Sequence, residues 1–287
     1  MIQHTVKPAR VQDSIGNAPF HRYEFDDGTV WTEFYRRGDD YLLRFPDLAD
    51  FEVSADGTAV CSYPAPDCDA DTLEHLFVNQ LVPLALSRQG QPTFHASVVT
   101  VPEGAVAFLG KSGAGKSTLA AAFALDDAAF LTDDALIIDE IDNICTVRPS
   151  HASLRLWDDS VAAIVGDHIS RGGPVSYTPK TRLLAGDTLN FRDRPERLVA
   201  AFVLRTQDSD KVSIKPLTGV ERYMGWLNNS FLLDVEDRDL LSAHFEWTHR
   251  VSGNVPTFAL AYPHDYGMLP DVRDTVRQHV LELCRSK

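Results

Sequence analysis

The stretch Gly110-Lys111-Ser112-Gly113-Ala114-Gly115-Lys116-Ser117 determines how the rest of the chain is interpreted. It fits the pattern G-x-x-x-x-G-K-[ST], in which a curled backbone points its N–H groups at a phosphate. An apolar run at 105–109 (AVAFL) predicts a buried strand before it, and the alanine-rich residues 118–124 (TLAAAFA) predict a helix after it. A glycine turn could match the pattern by chance, but the motif requires strand, loop and helix in this order. The sequence therefore predicts phosphate binding at 110–117.

Each part of this loop has a physical task. Glycine lets the backbone curl, and the start of the following helix adds a partial positive charge. Lys116 supplies an ammonium group for the outer phosphates, and the hydroxyl of Ser117 is a ligand for magnesium. The predicted nucleotide-binding residues are Gly110, Ser112, Gly113, Ala114, Gly115, Lys116, Ser117 and Thr118.

The composition limits the classes of protein to which the chain can belong. With 287 residues, of which 44% are hydrophobic, it can form one large domain or two small ones with a sizeable core. A net charge of −14 argues against a nucleic-acid partner and against binding to an anionic membrane. The four cysteines form no C-x-x-C pair, and the sequence has neither signal-peptide character nor a run of about 18 apolar residues. We therefore expect a cytoplasmic protein with reduced thiols and no membrane association.

Residues 1–65 are predicted to form a small antiparallel β-sheet. Turn signals such as Asp56-Gly57 separate short segments of strand character. These segments are 23–25, 30–35, 41–45, 51–54 and 58–63. Pro64-Ala65-Pro66-Asp67 interrupts the pattern and is interpreted as a linker. We therefore predict a β-rich N-terminal domain at 1–65 and a second domain at 66–287.

The region 66–287 mixes helices and strands, which predicts an α/β fold. A helix capped by Asp71 or Thr72 and bent at Pro83 is expected first. The later strands are predicted at 94–101, 105–109, 129–132, 135–139, 144–149, 198–204 and 257–263, and the later helices at 158–165, 218–229, 234–248 and 271–285. The polar, glycine-containing residues 166–182 are predicted to be a mobile loop.

Two further features suggest a reaction in addition to nucleotide binding. Asp133 and Asp134 stand at the end of a predicted strand, and phosphoryl transfer needs one carboxylate to accept a hydroxyl proton and often another to organise magnesium. Adjacent residues of an extended strand point in opposite directions, so one of the pair can face the site while its neighbour serves elsewhere. His95 lies on the strand before the phosphate-loop strand. The alternatives are a solvated turn for the aspartates and a satisfied core residue for the histidine.

Together these segments resemble the catalytic core of HPr kinase/phosphorylase. That family combines a histidine on the preceding strand, the loop G-x-S-G-x-G-K-S and an aspartate pair after the first helix. The matching segments here are Phe94-His95-Ala96, 110–117 and Leu131-Thr132-Asp133-Asp134. The resemblance implies a phosphoenolpyruvate-carboxykinase-like nucleotide core that uses ATP and Mg²⁺. It also implies that Asp134 is the general base and that His95 is a site residue.

The chain departs from that family in its metal site, its loop and its N-terminal sheet. HPr kinases carry a glutamate that helps to hold magnesium, and the matching segment here is Ser153-Leu154-Arg155-Leu156. We predict Ser117 and Asp133 as metal ligands, and Asp158 and Asp159 are further candidates to replace the glutamate. The family's phosphorolysis loop is not recognisable, so we predict kinase activity without the reverse reaction. The N-terminal sheet makes the chain more similar to the shorter HPr-kinase-related proteins of peptide-biosynthesis systems, including those that phosphorylate lasso precursor peptides.

The sequence thus predicts an ATP- and magnesium-dependent serine kinase acting on a protein or a precursor peptide. In this hypothesis Lys116 holds the outer phosphates, and Asp134 accepts the hydroxyl proton with His95 beside it. Arg155 or Lys180 balances the charge of the transferred group. The alternatives are a nucleotide-sensing module that transfers no phosphate and a small-molecule kinase. The acceptor, the choice between ATP and GTP, and the oligomeric state stay open, although the kinases that the chain resembles are hexamers.

Overall fold

The structure, a computed structural model, describes residues 2–25, 27–165, 169–205 and 211–286. The chain forms two units. The first contains Met1–Gln91, Pro174–Pro179 and Leu232–Ser242, and the second contains Pro92–Gly173, Lys180–Phe231 and Ala243–Lys287. Residues 66–91 group with the first unit by their contacts, and the predicted domain boundary after residue 65 stays a prediction.

The first unit is built on a six-stranded sheet. Its strands are β1 (Gln3–Val6), β2 (His21–Glu24), β3 (Val30–Arg37), β4 (Asp40–Phe45), β5 (Ala49–Val53) and β6 (Ala59–Pro64), in the spatial order β1-β6-β5-β4-β3-β2. All neighbouring strands are antiparallel except β1 and β6, which are parallel. The five strands that the alternating pattern predicted are confirmed. The sequence did not predict β1 because this strand is exposed along its whole length and shows no apolar alternation.

The helical segment of the first unit begins differently from the prediction. Helix α1 (Ala70–Leu76) is capped by Asp69, whose carboxylate accepts a hydrogen bond from the Thr72 N–H at 2.7 Å. The prediction of Asp71 or Thr72 as the cap is wrong because Asp69 is the residue with extended backbone before the first turn. A π-helical turn at Phe77–Leu81 then leads into α2 (Val82–Arg88). The predicted irregularity near Pro83, which has no N–H for a helical hydrogen bond, takes the form of this wider turn.

The second unit contains a nine-stranded sheet and a two-stranded sheet. The large sheet comprises β7 (Thr93–Phe94), β8 (Ala96–Val101), β9 (Gly104–Leu109), β10 (Ala129–Thr132), β11 (Leu136–Ile141), β12 (Ile144–Arg148), β15 (Glu196–Arg205), β16 (Ser213–Pro216) and β17 (Thr257–Ala261). Its central order is β10-β8-β9-β15. From β15, one branch continues to β17 and β16 and another to β12, β11 and β7. The small sheet pairs β13 (Ser153–Leu156) with β14 (Thr181–Leu184).

The strand directions bring the predicted site residues to one edge of the large sheet. β9 is parallel to β15, which is parallel to β17, and β8 is antiparallel to both β9 and β10. The carboxyl ends of β9, β10, β15 and β17 therefore lie at the same edge as the amino end of β8. The loop 110–117 follows β9 at this edge, Asp133 and Asp134 follow β10, and His95 precedes β8.

Helices pack on both faces of this sheet. They are α3 (Lys116–Ala124), α4 (Asp158–Ile164), α5 (Gly219–Leu227), α6 (Arg238–Asn254) and α7 (Leu269–Arg285). Alternate residues of β9 belong to different hydrophobic clusters: Val106 and Phe108 pack with α3 and α7, whereas Leu109 packs with Trp226 of α5 and Val251 of α6. This arrangement confirms the predicted α/β class. Within the described residues, no helix combines the length and the hydrophobicity needed to cross a membrane.

Three strands of the second unit were not predicted. They are β13, β14, which begins at Thr181 near the end of the segment 166–182 predicted as a mobile loop, and β16, a short strand with the sequence SIKP. Residues 166–168 of the predicted loop lie outside the described residues. Its described part contains bridges from Arg171 to Leu183 and from Val175 to Thr178 before β14 begins.

Candidate functional site

The loop 110–117 has the strand–loop–helix context that the motif requires. β9 ends at Leu109, and α3 begins at Lys116. Gly115 immediately precedes α3 with φ of +92°, a conformation that L-residues with a side chain rarely adopt. A Cβ at this position would also lie 3.1 Å from the Tyr262 hydroxyl. The missing side chain of glycine therefore favours both the left-handed backbone of the turn and the close approach of the Tyr262 hydroxyl.

Lys116 folds back over the loop. Its ammonium donates to the carbonyl oxygens of Gly110 at 2.7 Å and Lys111 at 3.1 Å, and the residue is only 6% exposed. Burial lowers the pKa of Lys116 to about 8, although the charges of Asp134 and Asp133 oppose this shift. An ammonium has three N–H donors, so the two carbonyls leave one for an incoming anion. The positive charge is thus held in place at the loop before any ligand binds.

Asp133 forms the centre of a buried hydrogen-bond network. Its Oδ1 accepts from the Ser117 hydroxyl at 2.9 Å and from the Ser97 hydroxyl at 2.5 Å. Its Oδ2 accepts from the Arg155 backbone N–H at 3.3 Å. Burial, together with the charge of Asp134, raises the pKa of Asp133 to about 6 against these stabilising hydrogen bonds. The sequence predicted Ser117 and Asp133 as metal ligands, and it did not predict Ser97, a polar residue in a mostly apolar strand.

Asp134 does not continue the strand. Its φ is +67°, in the left-handed region, and the Ala135 N–H donates to the Asp133 carbonyl at 2.9 Å. The expectation that the two aspartates alternate on extended backbone is therefore wrong. A non-glycine residue held in this conformation stores backbone strain, which is frequent at functional sites. The Asp134 side chain is half-buried, and its charge raises the pKa of both Lys116 and His95.

His95 occupies the break between β7 and β8. The sequence predicted one continuous strand at 94–101, so this part of the prediction is wrong. Its backbone N–H donates to the Asn229 carbonyl at 2.5 Å, and its Nδ1 lies 3.1 Å from the Asp134 carbonyl oxygen. Burial and the charge of Lys116 lower the pKa of His95 to about 4. The imidazole is therefore neutral at physiological pH, and its Nδ1–H donates to the Asp134 carbonyl.

Asn229 joins two parts of the site that are distant in sequence. Its side-chain oxygen accepts from the Gly110 N–H at 3.1 Å, and its backbone carbonyl accepts from His95. Its amide nitrogen donates to the Gly225 carbonyl of α5 at 2.9 Å. Asn229 was not predicted because no local pattern marks a residue that acts through its position after a helix.

The further candidates differ in their placement. Arg155 is buried on β13, and its backbone contacts Asp133. The Lys180 ammonium lies 5.3 Å from the centre of the Trp157 ring, and its charge lowers the pKa of Lys116 and His95. Both basic residues are thus associated with the site.

The two aspartates proposed to replace the family glutamate have other partners. Asp158 accepts from the Thr181 hydroxyl at 2.9 Å, and Asp159 accepts from the Tyr266 hydroxyl at 3.0 Å. The Thr118 hydroxyl lies 3.2 Å from that of Ser160 in α4. Ser112, Gly113 and their neighbour Lys111 form the exposed tip of the loop.

The oxygen atoms of Ser117 and Asp133 fit the requirements of magnesium. Mg²⁺ is commonly bound by one or two protein oxygens together with water and substrate phosphates. A hydroxyl and a carboxylate oxygen 2.9 Å apart, beside an anion-binding loop, form such a partial site. Within the described residues, no group of three or more His, Cys, Asp or Glu side chains is placed to hold a metal without a substrate.

Comparison with known proteins adds little to this description. No protein-family model matches the sequence, and no curated protein matches it. The solved structure of the Hpr(Ser) kinase/phosphatase from Coxiella burnetii is similar at a TM-score of 0.35 and 10% sequence identity, covering 67% of this chain and 97% of that chain. This likeness is distant, so the function is argued from the geometry of the site.

Proposed function

We propose that this protein is an ATP- and magnesium-dependent kinase that phosphorylates a serine hydroxyl of a protein or peptide. The observation that carries the proposal is the cluster at the sheet edge, where the Ser117 hydroxyl donates to Asp133 beside the loop and the charge of Asp134 acts to raise the pKa of Lys116. A nucleotide core of the phosphoenolpyruvate-carboxykinase type is part of this proposal. A peptide acceptor agrees with an acidic chain that is unsuited to nucleic acid.

The loop binds the donor. Its backbone N–H groups and the amino end of α3 favour the β and γ phosphates of ATP, and Lys116 adds a charge-assisted hydrogen bond. Ser117 and Asp133 hold Mg²⁺, which neutralises charge on the phosphate oxygens when it is bound. Asp133 is already buried and oriented by Ser97, so binding requires little rearrangement of this ligand.

Asp134 acts on the acceptor. As the hydroxyl oxygen forms a bond to the γ phosphorus, its proton passes to the Asp134 carboxylate, and the bond from phosphorus to the ADP oxygen breaks. The neutral His95 fixes the backbone of Asp134 and borders the place of the acceptor. Arg155 and Lys180 stabilise the charge that spreads over the transferred phosphoryl oxygens.

A phosphoryl-transfer assay tests this function directly. The purified protein is incubated with labelled ATP, Mg²⁺ and an array of serine-containing peptides, and phosphoserine is located by mass spectrometry. The matched variant Asp134→Asn keeps the shape of the side chain but removes the base. We expect transfer by the wild type, a loss of at least about a hundredfold in the variant, and an unchanged affinity for ATP. Equal turnover by the two proteins would remove Asp134 from this role.

A nucleotide-sensing module is the second candidate. It is favoured by the arginine at the segment where related kinases carry a metal-binding glutamate, and by the hydrogen bonds that already engage Asp158 and Asp159. Such a module binds ATP but leaves the label on the nucleotide with every acceptor. The same assay separates the two candidates, because ATP binding without ADP formation supports the module.

A further inference from the structure

The proposed nucleotide site has two distinguishable ends. Across the sheet the strand order is β10-β8-β9-β15-β17, and the phosphate loop leaves β9 in the middle of this series. The aspartates follow β10 and His95 precedes β8, so the transferred phosphate lies on that side of the loop. The nucleoside end of the donor must then extend to the other side, towards the carboxyl ends of β15 and β17.

Tyr262 stands at that second end, level with the loop. Val203 of β15 is paired with both Leu109 at the end of β9 and Ala259 of β17. β17 continues to Ala261, so Tyr262 lies past the level at which the loop begins. Its hydroxyl is 3.1 Å from the position that a Cβ on Gly115 would occupy.

Tyr262 is buried, and its hydroxyl has no hydrogen-bond partner among the described residues. The residue is 8% exposed, and its ring is nearly parallel to that of His264, with the ring centres 6.2 Å apart. Burial raises the pKa of Tyr262 to about 12, so the hydroxyl keeps its proton at neutral pH and is a hydrogen-bond donor. The hydroxyl oxygen is not among the fully enclosed polar atoms that lack a partner, so it is open to an acceptor that arrives with a ligand.

We propose that the Tyr262 hydroxyl donates a hydrogen bond to an oxygen of a non-transferred phosphate of the bound nucleotide. This inference rests on the proposed function, because it requires the loop to bind a nucleoside triphosphate. Tyr262 then fixes the direction of the phosphate chain, with the γ phosphate at Asp134 and the nucleoside beyond β17. The sequence motif ends at Ser117 and gives no indication of this residue.

Calorimetric titration with ATP and with inorganic tripolyphosphate, both with Mg²⁺, tests this assignment. The variant Tyr262→Phe removes only the hydroxyl. Tyr223→Phe is the matched control, because Tyr223 lies on α5 with its ring towards His249 of α6. We expect Tyr262→Phe to weaken both ligands about tenfold or more and Tyr223→Phe to stay within about twofold of the wild type. Tripolyphosphate is included because a phosphate contact must affect both ligands alike.

The results separate this inference from the function on which it rests. Wild-type protein that binds neither ligand would refute nucleotide binding itself. If the wild type binds both ligands and Tyr262→Phe binds them with the same affinity, only the role of Tyr262 is refuted. A loss of affinity for ATP alone would also refute this role, because it would indicate a contact to the nucleoside. Denaturant unfolding without ligand gives a further readout. If the hydroxyl serves only the ligand, its removal leaves the free energy of unfolding of the ligand-free protein unchanged or raises it. If the hydroxyl has a structural role, its removal lowers that free energy. Tyr262→Met, which also lacks the hydroxyl, replaces the phenylalanine variant if that variant does not fold.

Discussion

Replacing Asp133 with asparagine is expected to stabilise the ligand-free protein at neutral pH. The carboxylate is 2% exposed, and burial next to Asp134 raises its pKa from 3.8 to about 6. A carboxyl group whose folded pKa lies above its unfolded value contributes stability below the unfolded pKa, and this contribution is lost as pH rises through the folded pKa. The wild type therefore loses stability between about pH 4 and pH 6, whereas an amide at this position does not.

The magnitude follows from the size of the shift. A difference of about two pKa units corresponds to about 3 kcal/mol when the carboxylate is fully ionised at pH 7.5, and to about half of that at pH 5. These values are upper limits. Three donors now bind the two carboxylate oxygens of Asp133, and the amide that replaces it has only one oxygen that can accept from them, so some of these hydrogen bonds are lost. We therefore expect a clear gain in the free energy of unfolding at pH 7.5 and about half of it at pH 5.

Denaturant unfolding of the wild type and Asp133→Asn at pH 5 and pH 7.5, without nucleotide or Mg²⁺, measures this effect. Asp274→Asn is the control, because the Asp274 side chain is 68% exposed on α7 and its replacement should change little at either pH. A variant that is no more stable than the wild type at pH 7.5, or a gain that does not depend on pH, would refute the conclusion that Asp133 is held ionised against its burial. The same variant should bind ATP with Mg²⁺ more weakly than the wild type, so the substitution should increase the stability of the protein and decrease its affinity for the nucleotide.

Three further substitutions probe the loop and its surroundings. Lys116→Met should abolish ATP binding in calorimetry and should raise the stability of the ligand-free protein near pH 7. The pKa of Lys116 is lowered to about 8, so the wild type loses stability as pH falls from 10.5 through 8; a wild-type affinity of the variant for ATP would contradict this role. His95→Gln should flatten the loss of stability that the wild type shows as pH falls from 6.5 towards 4, since the pKa of His95 is lowered to about 4; an unchanged pH profile of unfolding would count against the burial of the imidazole. Gly115→Ala should cost about 1–3 kcal/mol in unfolding and weaken ATP at least about tenfold, because φ is +92° and the new methyl meets Tyr262; wild-type affinity would show that the loop tolerates a side chain.

Local patterns were sufficient to predict the framework of the site. The apolar run 105–109, the glycine-rich loop and the alanine-rich segment became β9, the loop and α3 at nearly the expected residues. The sequence also singled out Ser117 and Asp133 as candidate metal ligands, and the hydrogen bond between them is seen only in the structure. These patterns span only a few consecutive residues, so they can be recognised without knowledge of the tertiary fold.

The residues that complete the site come from distant segments and could not be read in this way. Asn229 follows α5 and Tyr262 follows the last strand, and both lie next to the loop because the sheet brings these ends together. Ser97 lies in a mostly apolar strand, and its hydroxyl contacts Asp133. The left-handed backbone of Asp134 belongs to the turn after β10, so the expectation of extended backbone at this residue was wrong. The tertiary fold determines where these residues lie, and no periodic pattern in the sequence indicates their placement.

A crystal structure with a non-hydrolysable ATP analogue and Mg²⁺ tests the central claim most directly. An acceptor oxygen that bonds to both the γ phosphorus and the base requires a separation of about 5–6 Å between that phosphorus and an Asp134 carboxylate oxygen. We expect this distance, with the metal held by Ser117 and Asp133 and the phosphates on the amides of the loop. A γ phosphorus more than about 10 Å from every Asp134 oxygen, or a nucleotide bound away from residues 110–117, would contradict the proposed chemistry.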